Sequence, residues 1–466
     1  MNDEPSHQWA PPSVPPPHLH SSRGRSGGGR LPLLVGGVSA LALVVGVVTW
    51  QLGGSDDDDA TLAGVGASYH LVSYPSAVGG DTVVVADADG ANPVTYDLPE
   101  GLGPQWTPGN WLIDTDDDKL QAMDLSTGEV SSIELPSADL TVAGATLVAG
   151  SDEVVLFSAF GDMGPVVVDL AGGTVRPLVA GLEQGFAASV RGGVQLFSAG
   201  DSDGPATILA PVSEPASAWT VPGAVLDVRD RDSLVVSGDD EIVIQRYSGT
   251  DAAGSPAQVP MRPAGGLLVG DHALVVDPAG ALTDIDLATG VTSTRGVVGF
   301  RVDQAFPIGA DRLFVTGDDG SLLYSADGQV VATFPPGTAS TGEEQPMVPV
   351  TVGTDCIGLQ PGYTPALEAA GVQLVDLASG DVLLELDATP YLARPDGCTL
   401  VTPGDPLLVI DGAVVDVDLD SVMAVRPDGA IVIGLERGDD PRIFSVDLAS
   451  GERTELPKAL YRFAEF

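Results

Sequence analysis

The chain has 466 residues, of which 65 are acidic and 20 basic, giving a formal net charge of −45. Nucleic acid is excluded as a natural partner, because a phosphate backbone needs a basic footprint. Two cysteines and five histidines leave no basis for Cys/His zinc sites, and 59 glycines with 5% aromatics suit many short strands and turns better than long helices.

Residues 1–30, with "APPSVPPPH" and "RGRSGGGR", are too rich in Pro, Gly and Ser to build a core, and a disordered tail is expected. Pro12 and Pro15 have the spacing of polyproline ligands, which is common in Pro-rich tails that dock nothing. His7, His18 and His20 lie here without a Cys or carboxylate cluster beside them. Leu31 to Leu52 carries no charge, and at about 1.5 Å per residue its helix would be roughly 33 Å long, enough for a hydrocarbon core of about 30 Å. A single transmembrane helix is expected over 31–52, with Trp50 at its outer interface. Arg23, Arg25 and Arg30 precede it and Asp56 to Asp59 follow, so the tail is expected in the cytoplasm and the bulk of the chain outside. The alternative is a cleaved leader, for which Val65 to Ala67 offers small residues at cleavage spacing. Residues 53–68 read as an extracellular linker.

From 69 to 466 the chain repeats. "IDLATG" at Ile285 to Gly290 has close copies at Met123 to Gly128, Val375 to Gly380 and Val446 to Gly451. Each copy stands between two alternating apolar runs. The Asp can accept from backbone N–H groups ahead of it, and the Gly can take the left-handed conformation that closes a hairpin. Apolar strands opening successive units begin at Asn110, Glu153, Gly193, Asp232, His272, Asp311 and Thr354, spaced by 43, 40, 39, 40, 39 and 43 residues. Four short strands every 40 to 45 residues are the signature of β-propeller blades. Further units near Gly79, Gly397 and Asp428 bring the count to nine or ten, above the usual range. The expectation is therefore an all-β propeller of eight blades, with seven as the alternative, closed by pairing N-terminal strands with the C-terminal unit. Cys356 and Cys398 hold the same place in successive units, 42 residues apart, so an oxidised exterior would join them in a structural disulfide; two free thiols are the alternative.

The units resemble the quinoprotein-like repeat, whose core runs A-x-D-x-x-T-G. "AMDLSTG" at Ala122 to Gly128 matches it, and "DIDLATG" at Asp284 to Gly290 matches without the Ala. That family includes pyrroloquinoline-quinone dehydrogenases and non-enzymatic envelope propellers such as the outer-membrane assembly lipoproteins. Its repeats carry a blade-docking Trp four residues after the Gly, where this chain has Ser132, Pro177, Thr294, Leu384 and Glu455. There is no adjacent Cys pair and no Trp platform for a quinone. The resemblance thus implies a binding or scaffold member, without a quinone cofactor.

Chemistry-bearing residues are few. Beyond the apolar segment the histidines are His70 and His272, and no GxSxG elbow is present. Asp114, Asp116 and Asp118 in "DTDDDKL" are the candidate metal ligands, with calcium as the one cofactor they admit, although Lys119 stands where a helix–loop–helix calcium loop needs Gly. The repeat is most disturbed between Pro335 and Gly371, where "PPGTASTGEEQPM" joins two units and "QPGYTPALEAAG" lengthens a hairpin. Loops on a rigid scaffold carry function, so Glu343, Glu344, Tyr363 and Thr364 are the candidate partner contacts. Two readings result. One is a membrane-anchored extracellular propeller that binds a protein or cell-envelope component without catalysis. The other is an exported enzyme using paired carboxylates, and calcium, in a central channel.

Overall fold

The computed structural model describes residues between His70 and Glu465, continuously over 214–238 and 241–338 and in shorter segments elsewhere. The tail 1–30, the apolar segment 31–52 and the linker 53–68 lie outside the described residues. Among the described residues no helix is long and apolar enough to cross a membrane.

The described chain is all-β, built from successive antiparallel sheets in a propeller-like arrangement. Sheet 1 contains His70–Ser73, Thr82–Asp87 and Val94–Asp97, and its fourth strand, Ala464–Glu465, comes from the other end of the chain. Sheet 2 has three described strands, Trp111–Asp116, Lys119–Asp124 and Val130–Glu134. Eight four-stranded meanders follow in chain order. Sheet 3 runs from Val142–Leu147 to Thr174–Pro177, sheet 4 from Phe186–Arg191 to Trp219–Pro222, and sheet 5 from Ala224–Arg229 to Asp251–Val259. Sheet 6 runs from Gly265–Val269 to Val291–Val297, and sheet 7 from Val302–Ile308 to Val330–Phe334. Sheet 8 runs from Met347–Val352 to Val382–Leu386, sheet 9 from Leu392–Arg394 to Ala413–Val415, and sheet 10 from Ser421–Val425 to Arg453–Glu455.

Among the described residues there are ten such sheets, more than the eight, or seven, blades expected. The spacing count of nine or ten units was the sounder guide, because the reduction to eight rested on the usual size of propellers and no residue of the repeats called for it. The expected closure is present: Val72 pairs with Glu465 and Ser73 with Ala464, so the last strand completes the first sheet and covers an edge that would otherwise invite association.

Among the described residues, sheets 2 to 8 are each packed on both faces, which explains why their second strands are rich in apolar residues. In sheet 3, Val154 and Leu156 pack against sheet 2 while Val155 and Phe157 pack against sheet 4. In sheet 6, Ala273 and Val275 face sheet 5, and Leu274 and Val276 face sheet 7. The first strands form an inner row, Ala224–Arg229 lying against Gly265–Val269 and that strand against Val302–Ile308. Several of these inner strands carry a register shift that bends them, including those at Val225/Asp227 and Val302/Gln304. Cys356, at the start of the second strand of sheet 8, and Cys398, just before the second strand of sheet 9, form a disulfide with Cα atoms 5.5 Å apart.

Candidate functional site

The repeated hexapeptide is both a turn and a joint. Asp286 Oδ1 accepts from the backbone N–H groups of Ala288 at 2.9 Å and Thr289 at 3.1 Å, and Gly290 N donates to Asp286 O at 2.7 Å with φ +73°. The same net recurs at Asp376, which accepts from Ser379 N at 2.6 Å and Ser379 Oγ at 2.8 Å, and at Asp447, which accepts from Ser450 N at 2.8 Å. A further copy at Asp169 uses Gly172 N at 2.7 Å. Hydrogen bonds from Thr289 hold the Asp286 carboxyl below the ordinary carboxylate range, and those from Ser379 do the same at Asp376. At Asp124 burial pushes the carboxyl up, but the bonds from Ser126 and Thr127 outweigh it and the net direction is down.

The second residue of the turn is always Leu, and it faces the preceding sheet. Leu125, Leu170, Leu287 and Leu377 are buried, and their N–H groups donate to the carbonyls of Asn110, Asp152, Asp271 and Asp355 at 2.8 to 2.9 Å. At three of these turns the glycine completes the joint, whereas Gly173 and Gly451 have nothing within 4 Å of their Cβ directions. A Cβ at Gly128 would lie 2.5 Å from the Tyr96 ring, one at Gly290 would lie 2.6 Å from Pro256 O, and one at Gly380 would lie 2.5 Å from Ala332 Cβ. These three junctions therefore close through Leu and Gly. Polar ties reinforce them: Trp111 Nε1 donates to Asp152 Oδ1 at 3.0 Å, Arg246 reaches Asp271 at 2.8 Å across sheets 5 and 6, and Arg312 Nε donates to Leu377 O at 2.9 Å. Asp227 is buried on the inner strand of sheet 5, where its carboxylate accepts from Val228 N at 2.9 Å, Arg229 Nε at 3.2 Å and, across the junction, Leu268 N at 2.8 Å.

The candidate partner surface lies between sheets 7 and 8. The first irregular segment forms a two-stranded hairpin, Gly337–Thr338 with Glu344–Gln345, in which Thr338 pairs with Glu344. It seats on the start of the second irregular segment. Gly362 N donates to Pro346 O at 2.9 Å, a Cβ at Gly337 would lie 2.6 Å from Pro361 Cγ, and one at Gly362 would lie 3.5 Å from Gln345 Cβ. Two segments that interrupt the repeat separately thus meet in one patch. Glu344 is exposed on it, whereas Glu343, Tyr363 and Thr364 lie outside the described residues.

Of the candidate metal ligands, Asp114 is buried and accepts from Thr115 N at 2.8 Å. Asp116 follows on the same strand in register with Lys119, and Asp118 lies outside the described residues. Among the described residues no group of three His, Cys, Asp or Glu side chains is placed to hold a metal. His272 is half exposed, with Nδ1 3.4 Å from Asp284 Oδ1. A carboxylate pair that sequence reasoning did not single out stands on sheet 7. Burial pushes the Asp303 carboxyl up and nearby Asp318 pushes it the same way, against Arg301.

No family model matches the chain, and no curated protein matches it. Solved structures with distant likeness include a eukaryotic initiation factor, with 11% identity and TM-score 0.43 over 83% of this chain and 96% of that one. A computationally designed protein, Ika8, has 11% identity and TM-score 0.34 over 75% and 95%. The dihydro-heme d1 dehydrogenase NirN in complex with DHE has 14% identity and TM-score 0.34 over 84% and 74%. Likeness at this level adds nothing on function.

Proposed function

We propose that this chain is a membrane-anchored extracellular β-propeller that binds a protein or cell-envelope component and acts as a scaffold without catalysis. In this reading the ten sheets are the blades of one propeller, residues 31–52 anchor it, and residues 1–30 stay in the cytoplasm. The observation that carries it is the meeting of the two irregular segments: the strands Gly337–Thr338 and Glu344–Gln345 seat on Pro361 and Gly362 and make one surface that the regular repeat lacks. A rigid sheet stack presenting an irregular patch is the usual physical basis of recognition by loops. The disulfide between Cys356 and Cys398 agrees with an oxidising exterior. The chain is read as a non-enzymatic relative of the quinoprotein-like repeat, on the turn motif that Ala122 to Gly128 and Asp284 to Gly290 share with it.

Two measurements test it. A protease added to intact cells is expected to digest the sheet region, and a region degraded only after lysis contradicts the outside location. Crosslinking in intact cells followed by pull-down of the full chain is expected to recover a reproducible partner. Efficient crosslinking with no partner would favour the carboxylate enzyme instead, with Asp303 and Asp318 as the pair to substitute.

A further inference from the structure

The junction of sheets 4 and 5 is built without the Asp–Leu turn. Sheet 5 turns between its third and fourth strands through Ser248 to Asp251, where Gly249 holds φ +60° and a Cβ would meet nothing nearer than Arg231 Nη2, at 3.6 Å. Arg231 passes beside that glycine and lies over the indole of Trp219 on sheet 4, with its Cζ 5.3 Å from the ring centroid. Trp219 opens the outer strand Trp219–Pro222, which lies against the second strand of sheet 5, Asp232–Ser237.

Two buried polar groups in this seam have no partner. Trp219 is 4% exposed with its Nε1 unmatched, and Ser233 is 0% exposed with its Oγ unmatched. Both belong to the same contact between sheets. Trp219 packs with Val228 and Val235 of sheet 5, and Ser233 stands in the ladder between Val228 and Tyr247, on the face that presents Val235 to Trp219. The other arginines nearby on sheet 5 are committed, Arg229 to Asp227 and Arg246 to Asp232 and Asp271, whereas Arg231 has no carboxylate partner among the described residues. The seam thus brings an indole N–H, a hydroxyl and a guanidinium together on an otherwise apolar cluster. Buried polar groups are ordinarily matched, so this set of donors calls for an acceptor. Packed side chains seal both buried atoms from solvent, which demands a small acceptor, and the guanidinium favours an anionic one.

We propose that the seam between sheets 4 and 5 binds a single chloride ion, which accepts from Trp219 Nε1, Ser233 Oγ and Arg231 and ties the two sheets together. The site is separate from the patch at Gly337 and Glu344 and does not rest on the scaffold reading.

Thermal unfolding of the full-length chain in mild detergent tests this at fixed ionic strength, with sodium gluconate replaced stepwise by sodium chloride. Gluconate carries the same charge and is too bulky to enter the seam. The melting temperature is expected to rise with the logarithm of chloride concentration, as linkage requires of a ligand held only by the folded state. Arg231→Gln removes the cation, Trp219→Phe keeps a ring without the N–H, and Ser233→Ala removes the hydroxyl. Each is expected to move the onset of the rise to about tenfold more chloride. Arg301→Gln, which removes an exposed guanidinium beside the first strand of sheet 7, leaves the onset unchanged. Every variant is compared with itself in gluconate, so a general loss of stability does not enter the readout, and if Trp219→Phe fails to fold, the surface variant Arg231→Gln decides. The proposal is overturned if chloride and gluconate give the same melting temperature, as water alone in the seam would, or if Arg301→Gln moves the onset as far as Arg231→Gln does.

Discussion

Gly290 and Pro256 meet across the junction of sheets 5 and 6: a Cβ on the glycine would lie 2.6 Å from the proline carbonyl oxygen, and the glycine holds φ +73°. Two demands fall on one residue, a left-handed backbone and a close approach. At Gly173 only the first applies, with φ +64° and open space. Gly173→Ala is expected to cost about 1 kcal/mol, and Gly290→Ala about 3 kcal/mol because the neighbouring strand must also shift. Denaturation midpoints of the two variants check this, and equal losses would contradict the joint.

The turn aspartates predict the acid limb of stability. Hydrogen bonds lower the carboxyls of Asp286 and Asp376 in the folded state, so their contribution is present above the unfolded value near 3.9 and is lost as pH falls through the folded values. Asp376→Asn should flatten the fall of melting temperature below about pH 4. Asp303 has the opposite sign, its carboxyl raised by burial and then by Asp318. Its contribution is present below the unfolded value and lost as pH rises through the folded one. Asp303→Asn should therefore raise the melting temperature at neutral pH, and a lowered one would contradict that environment.

Asp227 ties two sheets through a buried carboxylate. Asp227→Ala removes the acceptor of Leu268 N, which lies on a buried inner strand. A loss of about 1–3 kcal/mol is expected, the cost of leaving a buried donor unmet, with Asp227→Asn less severe. Hydrogen exchange at Leu268 should quicken in the Ala variant, and unchanged protection there would count against the tie.

Much of this was legible from residues alone. The DxxTG turn needs only local chemistry, so its Asp and Gly announced the hairpins, and the matching places of Cys356 and Cys398 announced the disulfide. The joint was not legible, because the same glycine satisfies the turn whether or not a neighbour touches it. Asp227 escaped because a register shift on the inner strand turns it toward the next sheet, and no motif marks such a shift. The meeting of the two irregular segments was also hidden. It depends on a hairpin, Thr338 with Glu344, whose strands are two residues long and carry no alternation to read.

The disulfide closes a separation of 42 residues between sheets 8 and 9. On chain entropy, replacing both cysteines by alanine is expected to remove about 4 kcal/mol. Calorimetry of the double variant against the oxidised parent checks this, and an unchanged melting temperature would show that the packing around Val372, Leu374 and Val409 holds the junction unaided.

In the proposed scaffold a partner docks on the patch between sheets 7 and 8. Its most direct test places a photo-crosslinking residue at Glu344 in the full-length chain in intact cells, with the same residue at Glu241 on sheet 5 as the control. A discrete adduct is expected from position 344, absent from position 241 and lost when residues 339–343 are replaced by a Gly-Ser linker. Identical adducts from both positions, or none from 344 while the cells are efficiently crosslinked, would contradict it.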